Sequence, residues 1–597
     1  MMGARNVAVQ QIVYVLLTIS CFAVLSNAGV RDDLEATYDG PTTRYYDWTV
    51  ESATVTVNCV TVPRIVVNGE FPGPTIYAVE GDRIVINVTN KANTDVSIHW
   101  HGVRQILSNW HDGVPYITEC PLKQDEYFVY NFTVENQQGT VFWHAHISWL
   151  RATVVGALIV YPRSFTYPYP KPDEEFTVLL GEWWNTDPNA VEIGGVYTGG
   201  GFHVADALLI NGKPGSLYNC SDVEGISTFK VKSGKTYLLR VINAGLNTET
   251  FLGIANHTQT VVSADGEYVL PKDINTSFIS PGQTLDVLIT ADQEPGTYYM
   301  ESKSYSSILI TDTTVLPPVV VMSLRNDEPK IPASAIFQYD TSPPLDPSQT
   351  FFPALPEEND TDPTFRFLDS LHTLYPDQVP AQATRKQFFT VGLGTQPCNP
   401  DTKVQNCTLA TVAHINNITW VQPVSSVLKA YYFGIGGVYK TDFPDIPQHF
   451  FDFTNADSPD TPEQRTELGT RLSVIKYGTV IDLVLQGMNN LLFQNHPFHL
   501  HGHSFWVLGR GMGNFDPNTS PSGLNYHDPP FRFTVDVPTR GWVAIRWKAN
   551  NPGVWFFHCH LEKHTTWGMM MGFIVLNGDG PDETLPPPPE HLTSCST

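Results

Sequence analysis

Positive charge is scarce in this chain: 35 Lys and Arg stand against 60 Asp and Glu in 597 residues, a formal net charge of −25. Such a surface repels phosphate backbones and anionic headgroups, which argues against nucleic acid and acidic membranes as partners. Long hydrophobic runs are scarce too. The one apolar stretch of note, residues 12–25, is broken by Thr18 and Ser20 and is shorter than the ~20 residues a membrane span needs. With Arg5 before it and Ser26-Asn27-Ala28 after it, it reads as a secretory signal over residues 1–28. Low-complexity tracts, short-period repeats and sustained helical periodicity are missing.

Cysteine is sparse but fits secretion. Of eight cysteines, Cys21 leaves with the signal. With Cys559 reserved for metal, Cys59, Cys120, Cys220, Cys398, Cys407 and Cys595 are enough for three disulfides. Their pairing stays open, although Cys398 with Cys407 is expected as a local loop and Cys595 is expected to staple the Pro-rich tail 585–597 to the body. Nine Asn-x-Ser/Thr sequons, among them Asn87, Asn131, Asn256 and Asn417, point the same way.

What the chain does have is short β-branched and aromatic runs between Gly, Pro and Asn punctuation: residues 54–57, 83–89, 127–134, 154–161, 237–243, 285–290, 480–486 and 541–547. The run 127–134 half-alternates, as a strand with one buried face does. Many short strands predict an all-β protein built of β-sandwiches, and the length exceeds one core. Composition breaks predict a first domain over 29–163, a second over 164–324, a Pro/Asp/Ser-rich linker over 325–381 and a third domain over 382–597.

Histidine departs furthest from chance. Random placement of the 19 histidines gives roughly 0.6 His-x-His pairs, and five are present. The early cluster is His99-Trp100-His101 and His144-Ala145-His146. The late one is His496, His499, His501 and His503, then His558-Cys559-His560 with His564 and Met569. Alternate residues of a strand face the same way, so each pair projects two imidazoles together. In His558-Cys559-His560 the imidazoles face one way and the thiol the other, so one triplet can serve two metal centres and join them through a few bonds. Cys559 with His496, His564 and Met569 has the composition of a blue-copper site, His₂Cys with a weak axial thioether. The eight imidazoles left, His99, His101, His144, His146, His499, His501, His558 and His560, suit three further coppers with positions open for dioxygen. Together such centres imply O₂ reduction to water with electrons taken one at a time. Zinc fits poorly, because its structural sites are closed sets at tight local spacing. The remaining histidines, His503 included, are expected to be structural or solvent-facing.

These four segments closely resemble the copper-binding signatures of the multicopper oxidases. The continuation Val103-Arg104-Gln105, the stretch WHAHISWLRATVVG at 143–156, Gly181-Glu182-Trp183-Trp184-Asn185 and the closing 585–589 resemble plant-type laccases in particular. The resemblance covers nearly the whole mature chain. It implies three cupredoxin-like Greek-key domains, with a trinuclear cluster between the first and third, and four copper ions. It implies that His496, Cys559 and His564 hold the type 1 copper, His99 and His499 the type 2, and His101, His144, His146, His501, His558 and His560 the type 3 pair. Asp112 resembles an acidic residue beside the type 2 copper. Glu562 resembles a carboxylate that supplies protons as the O–O bond breaks, a reaction that consumes protons and so requires acids nearby.

Met569 departs from the leucine of many plant laccases. Methionine there also occurs in ascorbate oxidases and in a laccase subgroup associated with flavonoids, and a coordinating thioether stabilises Cu(II) and lowers the potential. The resemblance implies a secreted, monomeric enzyme of the apoplast or cell wall. It oxidises diphenols, monolignols or flavonoids with O₂, needs no nucleic acid or membrane, and uses Cys559, Asp112 and Glu562 in its chemistry. The alternative is an ascorbate oxidase. A ferroxidase would need acidic iron ligands beside the blue site, which are not found, and a copper-free binding protein would have broken ligand sets.

Overall fold

A computed structural model of the protein describes residues 28–197, 202–218, 225–307, 329–340, 351–398, 409–454, 466–488 and 494–595. The expected signal lies outside them apart from its last residue. Six sheets pair into three sandwiches. In the first, the sheet Val60–Val67, Thr43–Val57, Arg83–Asn90 and Tyr127–Thr133 faces the sheet Ile76–Val79, Val155–Tyr161, Gly139–Ala145 and Ile98–His101. Arg83–Asn90 alternates outward and inward and sends Ile84, Ile86 and Val88 into the core. It runs parallel to Thr43–Val57 and antiparallel to Tyr127–Thr133, and a parallel neighbour requires a crossover rather than a hairpin. All the short β-branched runs in the sequence form strands, with ends shifted by at most a residue where the run is the whole strand.

The second sandwich packs a six-stranded sheet around Thr236–Asn243 against a five-stranded one around Thr297–Tyr305. Here the expectation of a linker over 325–381 is corrected. Ala333–Tyr339 is a strand of the five-stranded sheet, antiparallel to Thr297–Tyr305 and parallel to Ser227–Val231, and Thr361–Asp369 is a short helix. Proline and aspartate mark the ends of these elements. The run between them buries Ala333, Ala335 and Phe337 fully, and that burial orders it.

The third sandwich sets an eight-stranded sheet, centred on Arg385–Pro397 and Val480–Gly487, against Leu472–Ile475, Met570–Val575, Gly553–Cys559, His496–Leu500 and Thr534–Val537. Buried polar contacts join the three units. Arg532 meets Asp265 through Nε and Nη2 at 2.8 and 3.1 Å. Arg240 donates to Glu175 at 2.6 Å and to Thr140 of the first sandwich at 3.1 Å. Arg31, on the amino-terminal helix Ala28–Thr37, reaches Glu175 at 3.3 Å. Separating the second and third sandwiches would strand the buried charges of Asp265 and Arg532, so that pair holds the two in place. Cys120 is bonded to Cys595, as the expected staple of the tail requires. Cys59 and Cys398 are also disulfide-bonded, whereas Cys220 and Cys407 lie outside the described residues. No described helix is long and apolar enough to cross a membrane.

Candidate metal centres

The strand registers divide the ligand candidates. Gly553–Cys559 runs antiparallel to His496–Leu500, with His558 opposite His499 and Cys559 opposite Phe498. Alternation then puts His499 and His558 on one face. Cys559 falls on the other face, where His496 also points because it is two residues from Phe498. In the first sandwich His99 lies opposite His144 and His101 opposite Phe142. Rings of the first and third sandwiches converge in three groups, His99, His101 and His499; His101, His144 and His560; and His146, His501 and His558; a fourth group, His496, Cys559 and His564, lies within the third. Every proposed ligand except Met569 is thus in a group, within ligand reach of its neighbours.

Six of the rings are aimed by the nitrogen turned away from the centre. Nδ1–H of His99, His144, His499 and His558 faces the carbonyl oxygens of Asp112, Ala145, Phe533 and Cys559 at 2.7, 2.8, 2.8 and 2.9 Å. His501 Nδ1 meets the Asp112 carboxylate at 2.9 Å. His101 is reversed, with Nε2 on the Gly282 carbonyl at 2.9 Å and Nδ1 turned inward. Such partners set the tautomer and leave a lone pair facing the centre. On the other side of the triplet, Cys559 Sγ lies 3.3 Å from His564 Nδ1 and 3.9 Å from His496 Nδ1.

The electrostatics fit a metal. Burial first, then mutual repulsion, drives His101, His146, His501, His558 and His564 far below the ordinary histidine range. Burial takes His496 and His499 down to about 3. The rings are therefore neutral and carry free lone pairs. Nε2 of His99, His144 and His499 is buried with no hydrogen-bond partner, a cost that a bound cation removes. Burial also pushes the Cys559 thiol up, so the pocket alone would keep it protonated, and only a cation between Sγ and the two imidazoles would hold the thiolate.

Family models described as Multicopper oxidase match residues 49–164, 174–320 and 442–579. Laccase-4 of Oryza sativa subsp. japonica is 46% identical over 566 residues, covering 93% of this chain and 95% of that protein. Laccase-11 of Arabidopsis thaliana is 44% identical over 557 residues, covering 92% and 95%. The chain belongs to the plant-type laccases of the multicopper oxidase family. In fold it is similar to the crystal structure of laccase from Botrytis aclada, with a TM-score of 0.70 at 24% identity over 95% of this chain and 92% of that one. As a laccase it carries four copper ions, one type 1, one type 2 and a type 3 pair, and acts on phenols and O₂. These relatives do not favour the ascorbate oxidase alternative.

Around the laccase's centres, Asp112 is fully buried, with Oδ2 on His501 and Oδ1 3.4 Å from His99 Nδ1. Glu562 is 16% exposed and pairs with Arg151 at 3.1 Å. Burial pushes its carboxyl up to about 7 against the pull of Arg151, which keeps it able to exchange protons near neutrality. Met569 is buried; its carbonyl accepts from Cys559 N–H at 3.1 Å and its N–H donates to the His564 carbonyl at 2.9 Å. His503 packs against Trp547 and Trp555 and belongs to none of the ligand groups. Sequence reasoning missed the carbonyls of Gly282 and Phe533, because any residue type can offer a carbonyl and only tertiary structure aims it. It also missed Arg151, which stands inside the laccase-like stretch but is 2% exposed.

Proposed function

We propose that this chain is a secreted laccase of the apoplast or cell wall that takes single electrons from phenols beside His496 and His564 and delivers them to O₂ at the histidine cluster. Four phenols each lose one electron and one proton, and one O₂ takes up four of each to become two waters. His496, Cys559, His564 and Met569 would hold the type 1 copper. His99 and His499 would hold the type 2, and His101, His144, His146, His501, His558 and His560 the type 3 pair. When bound, copper supplies the reversible one-electron chemistry that no side chain here can. The protein supplies the rest. Sγ of Cys559 joins both flanking imidazoles through its own backbone, Asp112 orients His99 and His501, and Glu562 holds a proton near the cluster. With methionine at position 569 we place the enzyme among low-potential laccases that favour electron-rich catechols.

One observation carries this reading: Cys559 faces the His496 and His564 pocket while His558 and His560 face the cluster. Cys559→Ser keeps the fold but removes the sulfur bridge, and catechol-driven O₂ uptake is expected to be lost together with the blue colour. Undiminished uptake in that variant sinks the assignment.

A further inference from the structure

The second sandwich holds none of the ligand candidates, yet it reaches the oxygen side of the molecule through a turn at residues 245–248. Glu182, in the Gly181-Glu182-Trp183-Trp184-Asn185 stretch, is 4% exposed. Its carboxylate accepts from the Asn247 N–H at 2.6 Å and the Thr248 hydroxyl at 2.7 Å. The turn held this way receives the third sandwich: Glu562 N–H donates to the Leu246 carbonyl at 2.8 Å and Lys563 N–H to Asn247 Oδ1 at 3.0 Å. Arg151, from the first sandwich, closes the junction. Its Nη2 is 3.0 Å from the His560 carbonyl, 3.1 Å from the Glu562 carboxylate and 3.4 Å from the carbonyls of Gly245 and Leu246. Nη1 lies 3.3 Å from the His560 ring. One guanidinium thus touches all three sandwiches, and only one of its partners is a charge.

We propose that Arg151 and Glu182 are positioning residues for oxygen reduction, holding the Glu562 carboxyl at a fixed place beside His560. A planar fork with several donors in fixed directions suits this work, and a lysine could not span the same set of acceptors. The copper-free stretch around Glu182 then has a task at the cluster although it touches no ligand. This inference rests on the role proposed for Glu562.

The test uses the copper-loaded enzyme, with four coppers per chain verified by metal analysis, and the variants Arg151→Lys, Glu182→Gln and Glu562→Gln. Enzyme reduced anaerobically by catechol is mixed with O₂. Reoxidation is expected to slow about 10- to 100-fold in Arg151→Lys and in the same direction in Glu182→Gln, while anaerobic reduction by catechol stays within about twofold of the parent, far less than the reoxidation effect. Hydrogen exchange at the Glu562 and Lys563 amides should quicken in both, in copper-free protein as well. Glu182→Gln keeps the test open should Arg151→Lys fail to fold. Slowing by Glu562→Gln alone overturns the positioning inference and leaves the reading of Glu562 standing. No slowing by Glu562→Gln overturns both. Slowing of both half-reactions to the same extent at full copper loading assigns Arg151 and Glu182 to structure only, against the inference.

Discussion

Single residues set the chemistry through what their second atoms touch. Met569 is locked at its backbone to Cys559 and His564, so its side chain starts from beside the thiolate. Met569→Leu is expected to raise the type 1 potential, since a thioether stabilises Cu(II) and leucine does not; redox titration reading an unchanged or lower potential goes against it. Glu119 shows the same dependence on surroundings away from the centres. It is 2% exposed and accepts from the Tyr130 hydroxyl at 2.7 Å. Burial pushes its carboxyl from 4.5 up to about 8, so the folded chain keeps a proton that the unfolded chain releases. The stability it contributes is complete below about 4.5 and is lost as pH rises through about 8, at up to about 1.4 kcal/mol per pH unit. Calorimetry from about pH 5 to 8 should find a flatter decline in thermal midpoint for Glu119→Gln than for the parent, and parallel curves would count against the assignment.

At the scale of elements, alternation along a strand is the governing rule. It made the histidine pairs legible, because residues two apart share a face whatever the fold around them. It also separated Cys559 from His558 and His560 before any partner was known. It could not tell which pair would meet which. That depended on the registers, His499 opposite His558 and His99 opposite His144, and on loops with no signature. Gly282 is such a loop residue. It sits at φ +86, and a Cβ there would lie 2.8 Å from His560 Cγ, while its carbonyl aims His101. Gly282→Ala should push the His560 ring and loosen His101, lowering copper affinity by about 10-fold or more. Metal analysis after dialysis against a weak chelator tests this, with full retention of four coppers as the contrary result.

Across the whole molecule, the two histidine clusters are brought together by contacts far apart in sequence. The tail does part of this work. Cys595 is bonded to Cys120, Thr593 accepts from Cys120 N–H at 3.0 Å, and Trp110 Nε1–H donates to the Pro586 carbonyl at 2.9 Å, two residues from Asp112. Cys595→Ser should cost about 2–5 kcal/mol, lower the thermal midpoint and expose the tail to proteolysis while O₂ uptake persists; an unchanged midpoint with an intact tail would contradict it. Strand content, sandwich architecture, the ligand residue types and the two-faced Cys559 triplet were determined by the sequence alone, because periodicity and donor chemistry are local properties. Tertiary structure alone decided that Ala333–Tyr339 joins the second sandwich, that Arg151 lies at the junction of all three, and which carbonyls aim His99, His101, His144, His499 and His558. Those outcomes depend on burial and backbone direction across hundreds of residues, which no local pattern encodes.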